Sequence, residues 1–132
     1  VLLVPGQGEL FEGRVRRWLK AQAQRQFEAE TRTLAARLGH PVRSVTVADM
    51  RSRWGSCGAG PAGARIAYSW RLILAPTHVQ QAVIAHEVAH LVEPNHGRRF
   101  WALATELLGE SHAPARAWLR ANGPMLHGIG SR

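Results

Sequence analysis

The chain has 132 residues, 45% of them hydrophobic, and 17 Lys and Arg against 9 Asp and Glu give a formal net charge of +8. That composition excludes an intrinsically disordered chain and suffices for one domain over 1–132 with its own core, without disulfide staples that the single Cys57 could not form within the chain. No apolar run reaches the roughly 18–20 residues of a membrane helix and no signal peptide is visible, so a cytoplasmic, reducing setting with no membrane partner is expected.

Residues 1–4 are a short apolar run stopped by Pro5 and Gly6, read as a linker or the end of a strand over 1–8. From 9 to 38 the pattern turns helical, with Phe11, Val15, Trp18, Leu19, Phe27, Leu34 and Leu38 as an apolar stripe that residues 22–26 weaken, and Gly39 as the stop. Residues 42–48 alternate like a strand, 58–63 form a turn rich in Gly and Ala, and 65–74 read as a second strand. Together these predict an antiparallel hairpin with the glycine-rich turn at its tip.

Pro76 or Thr77 then opens a helix, with Thr77 to Gln80 spaced as a capping box, and Pro94 forces its end near Val92. A further helix is expected from 97 to 108, stopped by Gly109, and a short last one over 114–121. Residues 124–132 read as a tail that frays.

The chemistry concentrates in the helix after Thr77. His86 and His90 stand four residues apart, so about 40° separates their imidazoles around the helix axis and both leave one face. Glu87 sits beside that face, where it can take a proton from water activated by a metal ion without being a ligand itself. A catalytic zinc needs a third protein ligand, with the fourth position left to water. His96, just past the Glu93-Pro94-Asn95 turn, is the leading candidate and Glu106 its rival. The spacing is that of the metzincins, but a glycine of their pattern is replaced by Glu93, and Met125 is too isolated to be assigned as their methionine turn.

Arg51, Arg53, Trp54 and Arg71 are candidate contacts to substrate or transition state. An arginine could hold an oxyanion, carboxylate or phosphate, and small residues at 55–58 allow close backbone approach. The plainer reading has Trp54 filling core space and an arginine pairing with Asp49. Cys57 is either a fourth metal ligand or a small buried thiol.

Four motifs in order carry a resemblance: Asp49-Met50-Arg51-Ser52-Arg53-Trp54-Gly55-Ser56-Cys57, Trp70-Arg71-Leu72-Ile73-Leu74-Ala75-Pro76, His86-Glu87-Val88-Ala89-His90, and Pro94-Asn95-His96-Gly97-Arg98-Arg99-Phe100-Trp101. They resemble the YgjP-like metallopeptidase family, related to the SprT-like zincins, over about 10–123. The resemblance implies an α+β zincin-like domain, with a long N-terminal helix and the HExxH helix packed on a small antiparallel sheet, followed by C-terminal helices. It implies one zinc ion per chain on His86, His90 and His96, and Glu87 as general base. A β-rich segment usually precedes this part in the family, and a chain starting at Val1 is expected to lack it. The sequence departs from the family at Tyr68-Ser69, where asparagine is common, and in a slightly long turn over 58–64.

Three functions follow. The first is a zinc metallopeptidase acting on a peptide or protein. The second is a metal-dependent nucleotide pyrophosphatase in which Arg51, Arg53 or Arg71 clamps phosphates. The third is a DNA-associated binding module with structural zinc, served by the basic surface. The arginines are spread along the chain, so a merely solvated surface accounts for them as well.

Overall fold

The computed structural model describes residues 7–129, with side chains from residue 12 onward. The order is α1 (Gln7–Leu38), β1 (Val42–Ala48), β2 (Gly55–Gly58), β3 (Ala64–Ser69), a 3₁₀ turn (Trp70–Leu74), α2 (Thr77–Ala89), α3 (Arg98–Leu108) and α4 (Ala113–Gly128). Residues 7 and 8, expected in a linker, belong to α1, and the expected strand end before them lies outside the described residues. Among the described residues no helix is long and apolar enough to cross a membrane.

α1 buries a four-residue repeat, Ala23, Phe27, Thr31 and Ala35, and among its described side chains none before Ala23 is buried. Val15 is exposed and Trp18 is 60% exposed. A 32-residue helix runs to roughly 48 Å, about twice the length of the seven-residue β1 it packs on, so one end must overhang. The glutamines that interrupt the stripe have their own partners. Gln24 donates to the Val45 carbonyl at 2.7 Å and accepts from the Val47 N–H at 3.1 Å, satisfying the edge of β1. Gln26 donates to Gln80, which in turn donates to the Ile73 and Ala75 carbonyls and ties the start of α2 to the 3₁₀ turn. Gln80 therefore does not serve a capping box; Pro76 occupies the N-cap and no side chain caps it.

The sheet is mixed and not purely antiparallel. Its order is β1-β3-β2, with β1 parallel to β3 and only β2 antiparallel to it. The hairpin tip lies where the glycines predict, with Gly63 at φ +119°, but the strand it returns to is β2. Residues 49–54 carry the chain across to the far side of β3. The alternation of buried and exposed residues is the same for either strand direction, so sequence pattern alone does not separate them. β3 is central, with Ile66 and Tyr68 buried, and the Tyr68 hydroxyl shares a 2.8 Å hydrogen bond with Thr31.

The second strand stops at Ser69, sooner than its apolar run suggests. The Ser69 hydroxyl accepts from the Arg71 N–H, and Trp70–Leu74 winds into the 3₁₀ turn that buries Trp70, Arg71 and Leu72. α4 continues through Pro124 to Gly128, so the expected fraying tail is helical, and only 130–132 lie outside the described residues. Burial of Leu126 and the packing of His127 on Trp54, with ring centroids 4.1 Å apart, hold it beyond the proline.

Arg71 is locked at the join of these pieces. It is 1% exposed, pairs with Asp49 at 2.5 Å, donates to the Ile129 and Met50 carbonyls, and stacks over Trp70 at 4.9 Å. Its hydrogen bond, foremost, holds the Asp49 carboxyl below the usual aspartate value, against a smaller push from burial. A depressed carboxyl stabilises the fold at pH above the unfolded aspartate value near 4, and that contribution is lost as pH falls through the folded value. Arg71→Met is expected to cost about 2–3 kcal/mol at pH 7, with part of the loss moderated by the solvent-facing side of Asp49. Urea melts of both proteins from pH 7 to 3 check this: the gap should narrow toward acid, and a constant gap contradicts the pairing.

Candidate metal centre and its cleft

α2 is buried nearly all round, through Val79, Ala82, Val83, Ile84, Ala85, Val88 and Ala89. His86 and His90 escape on the one side that the neighbouring elements leave open. Regular helix ends at Ala89, earlier than Pro94 alone requires, and shorter bonds from Leu91 to Val88 and from Val92 to Ala89 tighten the exit. Pro94 turns the chain, and His96 returns to the cluster just before Gly97 caps α3. The end of α2 also places the negative pole of the helix dipole beside the histidines, which favours a cation there.

The three imidazoles converge through their Nε2 atoms, His90 to His96 at 3.0 Å and His96 to His86 at 3.2 Å. Ligands about 2.05 Å from one tetrahedral ion lie roughly 3.3 Å apart, so the spacing fits a metal that all three nitrogens share. His90 Nδ1 lies 3.1 Å from the Glu93 carbonyl, and donation to it leaves the Nε2 lone pair for a metal. Burial, followed by the neighbouring imidazoles, brings His86 down to about 4. Burial lowers His90 as well, against the opposing carbonyls of Glu93 and Pro94. Both rings are therefore neutral at pH 7. These three residues could hold a divalent ion, whereas Glu106 is exposed on α3 and stands apart from the group they form.

Beneath the rings lies Phe100, fully buried, with its centroid 4.8, 4.5 and 4.9 Å from those of His86, His90 and His96. In the sequence Phe100 stands in the last of the four motifs and on the helix expected over 97–108, with no spacing that connects it with the site. A stripe indicates which residues face a core but not which of them meets the imidazoles. Trp101 flanks the cluster, 5.6 Å from His86.

Glu87 is 6% exposed, and burial pushes its carboxyl up to about 7 while the charge of Arg53 opposes the rise. A cation on the histidines would act in the same sense as Arg53. Gly55 on β2 touches this carboxylate: a Cβ there would lie 2.9 Å from Glu87 Cγ and Oε2. A side chain at 55 would have to displace the carboxylate, so the close approach expected over 55–58 has its reason at Gly55, whereas a Cβ at Gly58 would meet nothing within 4 Å.

Two clefts open over the cluster and share Arg53, Gly55, His86, Glu87 and His96 in their walls. One, of ≈ 650 Å³, runs past Ser56, Cys57, Gly60 and Pro94; the other, of ≈ 500 Å³, runs past Trp54, Trp101 and Leu119. Arg53 is thus at the site. Trp54 both packs on α4 and lines the second cleft, so its two readings coexist. Arg51 is exposed and lines neither cleft, and Arg71 is committed to Asp49. Cys57 is half-buried and outside the metal group, and burial, then the charge of Glu87, raises its thiol to about 11, so it stays protonated.

With three imidazoles gathered on one point and a buried carboxylate at their side, metal-assisted hydrolysis is the chemistry this fold serves. The chain is a zincin-type metallohydrolase centred on its HExxH helix. A family model described as YgjP-like, metallopeptidase domain, matches residues 2–122, and the chain belongs to that family. Neither the search of curated proteins nor that of solved structures finds a match.

Gly55→Ala offers a local check. The added methyl must displace the Glu87 carboxylate, and a misplacement near 1 Å costs turnover on the order of 10–100-fold. Metal content, measured alongside, should be unchanged. Full turnover in the variant contradicts the contact.

Proposed function

We propose that the chain is a zinc metallopeptidase in which His86, His90 and His96 hold one zinc ion and Glu87 is the general base. The observation that carries this reading is the convergence of three Nε2 atoms beside a buried carboxylate in an open cleft. A zinc ion held there supplies Lewis acidity, polarising a carbonyl and acidifying water. Glu87 accepts the proton of the attacking water and passes it to the departing amine, a task its place in the wall of both clefts beside the histidines suits. Arg53, on the rim above Glu87, stabilises the negative charge that develops on the carbonyl oxygen. Phe100 fixes the planes of the three imidazoles and keeps water from beneath them.

The substrate is a peptide or an extended segment of a protein, which the two clefts that meet at the cluster can accommodate. A nucleotide pyrophosphatase needs several cations converging on phosphates, and of the three arginines considered for that role only Arg53 borders the cleft. A purely structural zinc has no use for a base beside it, which weighs against a binding module. A single cysteine kept as a thiol suits the reducing cytoplasm.

Chelation and reconstitution test the assignment. The chain as isolated should contain one zinc, lose cleavage of a mixed peptide pool when a chelator removes it, and regain cleavage on zinc addition. Release of pyrophosphate from nucleoside triphosphates with no peptide cleaved would replace the peptidase reading by the nucleotide one.

A further inference from the structure

The two clefts differ in chemistry, and the difference bears on what the site selects. The wider one is bordered by glycines, Ser56, Cys57 and Pro94 with Pro41 and Leu91 among them, and more of its surface is polar than apolar. The other descends between α2, α3 and α4 and is walled by Val83, Trp54, Trp101, Ala115 and Leu119. Its floor is apolar: Ala82, Val83 and Ala115 line it and are all buried. Trp101 forms one wall while its ring centroid stays 5.6 Å from that of His86 and 6.2 Å from that of His96, so the pocket begins directly at the metal cluster. His112, buried and bonded through Nε2 to the Ala104 carbonyl, backs Trp101 at 5.8 Å and holds that wall in place.

Arg116 marks the mouth. Its guanidinium lies over the Trp101 ring, 4.8 Å from the centroid, and the residue is exposed. Among the described residues it has no ion pair with an acidic side chain. Its contact with the face of Trp101 leaves the guanidinium hydrogen-bond donors for a ligand.

The geometry points to a specificity pocket that receives a bulky apolar or aromatic side chain from one of the two residues flanking the scissile bond, with Arg116 binding a carboxylate next to it. This rests on the peptidase reading and adds the substrate class: peptides in which a large apolar residue at the cleaved bond is accompanied by a negative charge. The pocket of ≈ 500 Å³ has room for the largest side chain, and its apolar floor gains nothing from a small one. The carboxylate can belong to an acidic side chain or to the end of the peptide, since Arg116 recognises the same group in either.

The test uses the zinc-loaded full chain on two peptide pools, one with free and one with amidated carboxyl ends, with cleavage sites read by mass spectrometry. Phe, Leu, Met or Trp should exceed Gly and Ala at one flanking position by on the order of 10–100-fold in kcat/KM. Leu119→Trp, which fills the pocket, should move that preference toward small residues, and Arg116→Glu should replace the acidic preference by a basic one. Loss of the charge preference in the amidated pool assigns the carboxylate to the peptide end, and its survival assigns it to a side chain. Cleavage with a flat profile at both flanking positions overturns the pocket and leaves the peptidase reading standing. If nothing is cleaved, calorimetric titration of the same protein with a Phe-Asp peptide and its Gly-Lys counterpart decides. Selective binding of the first keeps the pocket while the peptidase reading falls, and equal binding or none overturns both.

Discussion

Replacing His96 by alanine is expected to lower zinc affinity by well over 100-fold and to abolish hydrolysis at ordinary zinc concentrations. Loss of an outer partner that merely orients a ligand costs roughly 10–100-fold, and His96 contributes one of the three converging Nε2 atoms itself. Its position in the exposed loop before Gly97 means that little core packing is lost with it, so the fold should survive and the effect should be read in the metal. Competition titration against a chromophoric chelator measures the change. Glu106→Ala, made in parallel, should bind zinc as wild type does; equal zinc affinity in His96→Ala and wild type would remove His96 from the centre.

Glu87→Gln separates the metal from the base. The amide keeps the shape of the carboxylate in its buried place against Gly55 but cannot accept the proton, so zinc content should remain one per chain. Turnover should fall on the order of 10²–10⁴-fold, the range that a positioned general base contributes. The fall should appear in kcat and much less in KM, because Glu87 acts on the water and not on the binding of the peptide. A variant with unimpaired turnover would show that the proton goes elsewhere and would leave Arg53 and Glu87 as mere neighbours.

The centre was the most legible part of the chain because its residues are close in sequence and one helix fixes their relation. A separation of four from His86 to His90 puts both on one helix face, and a proline two residues before His96 implies a return. What spacing does not encode is what comes from other elements. Gly55 meets Glu87 across 32 positions, and Phe100 reaches all three rings from a helix whose apolar stripe would look the same packed anywhere. Arg53 and Arg71 are indistinguishable as residue types, yet one faces the cleft and the other is walled in with Asp49. The fold class was readable from the long helix, the glycine turn and the HExxH helix. The parallel pairing of β1 with β3 was not, since it depends on the crossing at 49–54 and not on any strand's own pattern. The tail misled because Asn122, Gly123 and Pro124 look like a stop, while Gly123 is buried against Trp54 and Leu126 is held in the core.

Hydrolysis at this centre depends on three imidazoles sharing one metal ion with a position left open to water. X-ray absorption at the zinc edge of the reconstituted chain addresses that directly. The predicted spectrum has only nitrogen and oxygen neighbours, at about 2.0–2.1 Å, with multiple scattering from three imidazoles. A sulfur neighbour at about 2.3 Å would mean that Cys57 closes the site, and a fourth imidazole would do the same, making the zinc structural and contradicting a hydrolase.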